Sequence, residues 1–165
     1  MKIRPLMFPT FLVFGWLATV AVFADSKPNI PDPTATAIEQ AVLAANEKMT
    51  QAANSLNADA FFEYIIDSDK GVIIQNGALF KTRQEALEAV KRGFTGITKL
   101  ERHIDNPLIT VVSPDLAVLA GEGNTIATLV DGRVMTNHFA VSLIFQRKDG
   151  QWKVLQGHYS TPIKM

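Results

Sequence analysis

"TLVDGRVMTNHFAVSLIFQRKDGQWKVLQGHYSTP", residues 128–162, contains two Asp-Gly pairs, Asp131-Gly132 and Asp149-Gly150, each flanked by runs in which apolar and polar residues alternate. Asp-Gly between such runs is a strong hairpin signal, because both residues tolerate the positive φ of a tight turn. The stretch predicts strands over 133 to 148 and 151 to 161, preceded by one over 116 to about 130, folded as an antiparallel meander. With two-residue loops, Val130 stands opposite Arg133 and Lys148 opposite Gln151, and directly opposed side chains share a face.

That register sorts the residues into two faces. One carries Glu122, Val141 and His158 in a row, then Asn124, Phe139 and Ser160, then Ala120, Leu143 and Gln156, then Val118, Phe145 and Val154. The other carries His138, Gly121, Gly123, Ser142, Tyr159, Leu119, Ile144 and Leu155. The bulkier apolar floor marks the first face as the covered, concave side, so His158 and Glu122 are expected inside, two strands apart. A one-residue bulge would reverse the facing of every residue beyond it.

Working upstream, residues 98–112 read as a further strand that Pro107 interrupts. "VIIQ" and "ALFK" are short strands joined by Asn76-Gly77, and Thr82-x-x-Glu85 is a capping box that opens a helix running to about Phe94. Asp59 is expected to cap a short helix through Ile66. Before it, Ile38, Val42, Ala45, Met49, Ala52 and Leu56 recur at spacings of three and four, one stripe of a long helix with Asp32 as cap and Pro33 in its first turn. The order is helix, helix, two short strands, helix, four long strands. A single sheet of this kind must bury one face, so the class is α+β: a curved antiparallel sheet of about six strands packed against three helices.

The first 24 residues have the form of a secretory signal: Lys2 and Arg4, an apolar run from Leu6 to Phe23, and small Ala24 before Asp25. An uncleaved membrane anchor is the alternative. Residues 25–33, with three prolines, read as an extended leader, and residues 34–162 as one domain. The expected location is periplasmic or secreted.

The chain has 16 basic and 16 acidic residues and no cysteine. Removing Lys2 and Arg4 leaves a slightly acidic protein without a basic cluster, which argues against nucleic acid as a partner and against membrane association once the signal is removed. No thiol chemistry is available. The three histidines do not converge and no Cys or helical His pair is present, so no metal is expected; nor is there a phosphate loop or dinucleotide fingerprint, so no cofactor is expected.

"GVIIQNG" at 71–77, "ITVVSPDLAVLAGEG" at 109–123 and "RKDGQWKVLQGHYSTP" at 147–162 resemble the nuclear transport factor 2-like superfamily, in particular its SnoaL-like domains. They are also similar to the association domain of calcium/calmodulin-dependent protein kinase II, whose last strand likewise runs from Asp-Gly-x-Trp to a histidine and a serine. The resemblance covers residues 34–162 and implies a cone-shaped α+β fold around a pocket, with His158 and Ser160 at positions that commonly face it. The superfamily includes ketosteroid isomerases, polyketide cyclases, dehydratases and oligomerisation domains. The kinase domain has an arginine where this chain has Leu143, which departs from any anion site built on that position.

The candidate acid–base pair is Glu122 with His158, since a carboxylate and an imidazole in an apolar concavity can exchange protons with a substrate. Tyr64 is a candidate oxyanion donor and Asp67 a weaker candidate base, since "DSDKG" at 67–71 reads first as an ordinary polar turn. Asn124, Ser160 and Gln156 would orient a ligand against walls of Phe139, Val141, Leu143 and Phe62. Trp152, opposite Arg147, is expected to cover the core edge. Three readings follow: an exported protein binding a small apolar molecule, an isomerase, dehydratase or cyclase, and an oligomerisation module without ligand. The small residues of the other face suit a homodimer.

Overall fold

The computed structural model describes residues 32–162; the expected signal and most of the expected leader lie outside them. Three helices come first, α1 (Asp32–Asn54), α2 (Ala58–Phe62) and, after the hairpin of β1 (Ile73–Gln75) and β2 (Ala78–Phe80), α3 (Arg83–Phe94). Four long strands follow: β3 (Ile97–Ser113), β4 (Leu116–Leu129), β5 (Val134–Lys148) and β6 (Gln151–Ser160). The six strands form one curved sheet in the order β2-β1-β6-β5-β4-β3, with β1 and β6 parallel and every other pair antiparallel. The architecture is the α+β cone.

α1 lies across the concave face of the sheet and buries Ile38, Val42, Met49 and Ala53. Ala45, Ala52 and Leu56 are only partly covered, because the centre of the stripe passes through Asn46, which is 7% exposed. α3 begins at the expected capping box: Thr82 Oγ1 accepts the Glu85 N–H at 3.2 Å while Glu85 Oε2 accepts the Thr82 N–H at 3.3 Å. Asn76 and Gly77 both take positive φ, as the β1–β2 turn requires.

α2 differs from expectation. Its cap is Asn57, whose Oδ1 accepts the Ala60 N–H at 3.0 Å, and Asp59 instead pairs with Lys91 at 2.7 Å. The helix stops at Phe62 because β6 offers the next residues a better partner: the Val154 N–H donates to the Tyr64 carbonyl at 2.7 Å and the Ile66 N–H to the Val154 carbonyl at 2.8 Å.

The main correction concerns register. The β4–β5 loop holds three residues, not two: the Leu129 N–H donates to the Arg133 carbonyl at 2.8 Å, and Gly132 sits at φ +83°. A three-residue turn ending on a left-handed glycine is the next most favourable hairpin geometry. Asp131 secures it, accepting the Arg133 backbone N–H at 3.1 Å and Nε–H at 2.7 Å. Every β4 side chain therefore faces opposite to the two-residue expectation, Leu119 pairing with Leu143 and Glu122 with Ala140.

The β5–β6 turn does have two residues, Asp149 and Gly150, both at positive φ, and Arg147 lies opposite a buried Trp152 as expected. Between Phe145↔Val154 and Ile144↔Gln156, however, Leu155 is left without an opposite residue. This bulge turns Gly157 and Tyr159 inward and His158 and Ser160 outward. Gly157 fits closely there: a Cβ would stand 3.0 Å from Leu143 Cδ2, so Leu143 would have to give by a few tenths of an ångström to admit a side chain. Pro107 interrupts β3 as expected, with a register shift between Asp105 and Leu108.

Candidate functional site

Because of the loop and the bulge, the concave floor consists of Ala117 and Leu119 from β4, Phe139, Val141, Leu143 and Phe145 from β5, and Trp152, Val154 and Tyr159 from β6, all buried. Phe139, Val141, Leu143 and Phe62, expected to wall a ligand, are buried in the core. Glu122, His158 and Ser160 are exposed on the convex face, and Asn124 is half-buried there. Glu122 does not meet His158; the Glu122 Oε2 lies 3.6 Å from His138 Nε2, and His138 Nδ1 lies 3.4 Å from Asn124 Oδ1. Asn124 also donates to Asp105, which pairs with His103 at 3.1 Å. The expected interior acid–base pair does not form; Glu122 instead joins a solvated chain of polar groups on the outside of the cone, without His158.

Gln156, expected to touch a ligand, donates through Nε2 to the Gly71 carbonyl at 3.2 Å and so ties β6 to the turn before β1. Tyr64 and Asp67 both line an open cleft of about 800 Å³ with Lys48, Arg83 and the β5–β6 turn. They do not join the interior floor.

Two residues that sequence reasoning passed over take central positions. Arg102 follows the inward alternation of Leu100 and Ile104 on β3, which is the signal that could have found it. Its guanidinium carbon lies 4.5 Å from the Phe139 ring centroid and 4.7 Å from that of Tyr159, in the wedge formed by two rings 6.5 Å apart and tilted by 60°. Such cation–π contacts favour a cation that is partly removed from water. β3 is an edge strand, and Asn54 on α1 closes that edge at Arg102, donating to its carbonyl at 3.1 Å and accepting its N–H at 2.8 Å.

The second residue is Asn46, four positions after Val42 and three before Met49, a polar residue on an apolar stripe. Its Oδ1 is fully buried and has no hydrogen-bond partner among the described residues. Asn46, Thr50, Arg102 and Ile104 border both a void of about 10 Å³ beneath α1 and a groove of about 630 Å³ between α1 and β3.

Across Tyr159 lies a different space, a cavity of about 280 Å³ between α3, the β1–β2 hairpin and β6. Phe61, Ile73, Phe80, Val90, Phe94 and Ile97 give it apolar walls, with Gln75 and Tyr159 as its polar side chains. Among the described residues lining it there is no carboxylate or imidazole.

Comparison with known proteins bears on this geometry. No curated protein matches the chain in sequence. Solved structures share the fold at low identity. A nuclear transport factor 2-like superfamily protein from Salmonella enterica is 16% identical with a TM-score of 0.71, over 79% of this chain and 94% of that one. The hexachlorocyclohexane dehydrochlorinase LinA-type3 from Novosphingobium barchaimii is 16% identical with a TM-score of 0.68, over 80% and 91%. A calcium/calmodulin-dependent protein kinase II association-domain-like protein from Xanthomonas campestris is 17% identical with a TM-score of 0.66, over 75% and 87%. The SnoaL-like domain model matches residues 42–164, from the middle of α1 through the whole sheet; the chain has the fold seen in nuclear transport factor 2-like structures and belongs to the SnoaL-like family.

Proposed function

We propose that the protein is an exported binder of a small apolar molecule, and that the ligand occupies the cavity beneath α3. The observation that carries this reading is the cavity itself: apolar and aromatic walls with Tyr159 and Gln75 as the polar points, the composition of a ligand pocket. Its volume of about 280 Å³ lies at the small end of such pockets, which favours a single ring or a short chain over a steroid. A dehydrochlorinase named for a single-ring compound shares the fold, which is compatible with that size. With neither carboxylate nor imidazole among the described lining residues, burial and shape supply the affinity, and binding is favoured over proton-transfer chemistry.

The export half of the reading rests on the sequence of residues 1–24, and a mature N-terminus at Asp25 in the periplasmic fraction would test it. A homodimer through the convex face is part of the same proposal, supported by Leu108 at 71% and Ile126 at 36% exposure on that face. Sedimentation as a monomer at micromolar concentration would exclude it.

The ligand test is a thermal-shift screen with monocyclic aromatics, short fatty acids and steroids against wild type and Val90→Trp, which fills the cavity from α3. A ligand at a hundred times its dissociation constant stabilises wild type by about 2.7 kcal/mol and leaves the filled variant unmoved. If no compound stabilises wild type, or both proteins respond equally, the cavity is not the site.

A further inference from the structure

Arg102 carries a half-buried charge on the inward side of β3, and its surroundings leave it half finished. Its faces are taken by the Phe139 and Tyr159 rings, at 4.5 and 4.7 Å. Its hydrogen bonds to described residues run through its backbone, to Asn54, and it forms no ion pair with a described carboxylate. A guanidinium stacked on its faces still presents N–H donors along its edge, in the fork spacing that matches a carboxylate. Beside it, the Asn46 amide is 7% exposed and its Oδ1 has no partner among the described residues, a costly state for a buried polar group.

We propose that the groove between α1 and β3 is a second binding site, for a small organic carboxylate, gripped by the edge of Arg102 with the Asn46 amide as the second contact. With its Oδ1 buried, the amide has its NH2 to offer to an anion in the groove. Thr50 adds a hydroxyl at the same wall. The charge count selects a monoanion: of the groove's basic groups, His103 is already paired with Asp105 at 3.1 Å, which leaves one guanidinium, and Glu47 lines the groove as well, where it accepts the Gln51 amide at 2.9 Å. A dianion such as phosphate would leave one charge uncompensated in a half-buried place. This site lies on the other side of Tyr159 from the apolar cavity and does not depend on it.

The test is titration of the full chain, followed by NMR or calorimetry, with acetate and benzoate, against benzamide and inorganic phosphate as controls. Benzoate is expected to saturate, with benzamide and phosphate at least about tenfold weaker. Arg102→Lys keeps the charge but loses the fork, and should weaken benzoate by about tenfold. Asn46→Leu replaces the unpartnered amide with an apolar isostere: it should raise the melting temperature and also weaken benzoate, a combination that a purely structural amide would not give. Failure of both carboxylates to saturate, equal binding of benzamide or tighter binding of phosphate would overturn the proposal, as would undiminished benzoate binding in Arg102→Lys or Asn46→Leu.

Discussion

Asn54 holds Arg102 by both backbone groups, its amide NH2 on the carbonyl at 3.1 Å and its amide oxygen on the N–H at 2.8 Å, so that a side chain of α1 takes the place of the neighbouring strand that edge strand β3 lacks. Asn54→Ala removes both bonds at a part-buried position and is expected to cost about 1–3 kcal/mol in urea denaturation with an unchanged m-value. A loss below about 0.5 kcal/mol would mean that water replaces the amide without penalty.

Gly123 presents a sharper constraint. A Cβ there would overlap the His103 carbonyl oxygen and stand 2.8 Å from the Phe139 ring, so β3 could not keep its distance from β4. Gly123→Ala is expected to destabilise by about 1–3 kcal/mol through backbone displacement. Gly96, around which a Cβ would meet nothing within 4 Å, is the control, with Gly96→Ala expected within about 0.5 kcal/mol of wild type. Denaturation midpoints of the two variants decide it.

His158 and Phe62 should separate cleanly. Since His158 is exposed on the convex face, His158→Ala is expected within about 0.5 kcal/mol of wild type and without effect on the binding proposed for the α3 cavity. Phe62 is fully buried, and Phe62→Ala should cost about 3–5 kcal/mol. A His158→Ala variant that melts several degrees low would contradict the bulge at Leu155.

Asp131 gives a pH dependence of known sign. The Arg133 backbone N–H and then its guanidinium lower the carboxyl pKa from its ordinary 3.8. Its stabilising contribution is therefore present above that value and is lost as pH falls through the lowered folded value. Asp131→Asn should melt slightly below wild type at neutral pH, and the difference should close as the pH is taken below 3.8. A gap that widens in acid would reverse the assignment.

The elements were legible in the sequence because their signals are local. The Thr82–Glu85 capping box, the Asn76-Gly77 turn, the α1 stripe and the alternation of β5 all appear in the fold. The facing of β4 and of the end of β6 was not, and each depended on one residue. Val130 joins the loop because Asp131 rewards a turn in which Arg133 closes on Leu129, and Leu155 bulges so that Gly157 passes under Leu143. Neither is visible to a period-two pattern, which reads the same from either side. The interior groups were hidden differently: Arg102 and Asn46 obey the periodicity of their elements but not its polarity, and a search for apolar stripes passes over them.

The position of β6 also sets an order of events for a chain leaving the ribosome. β1 and β2 are made early, but Ile73 finds its sheet partner only at Gly157, whereas β3, β4 and β5 pair with strands next to them in the chain. The hairpin must wait beside α3, its edge unpaired, until the last strand emerges and slides in between β1 and β5. Contacts this distant in sequence close slowly. The newborn protein thus passes through a stage in which two halves of a sheet exist without the strand that joins them, and that stage is when a chaperone would have most to hold.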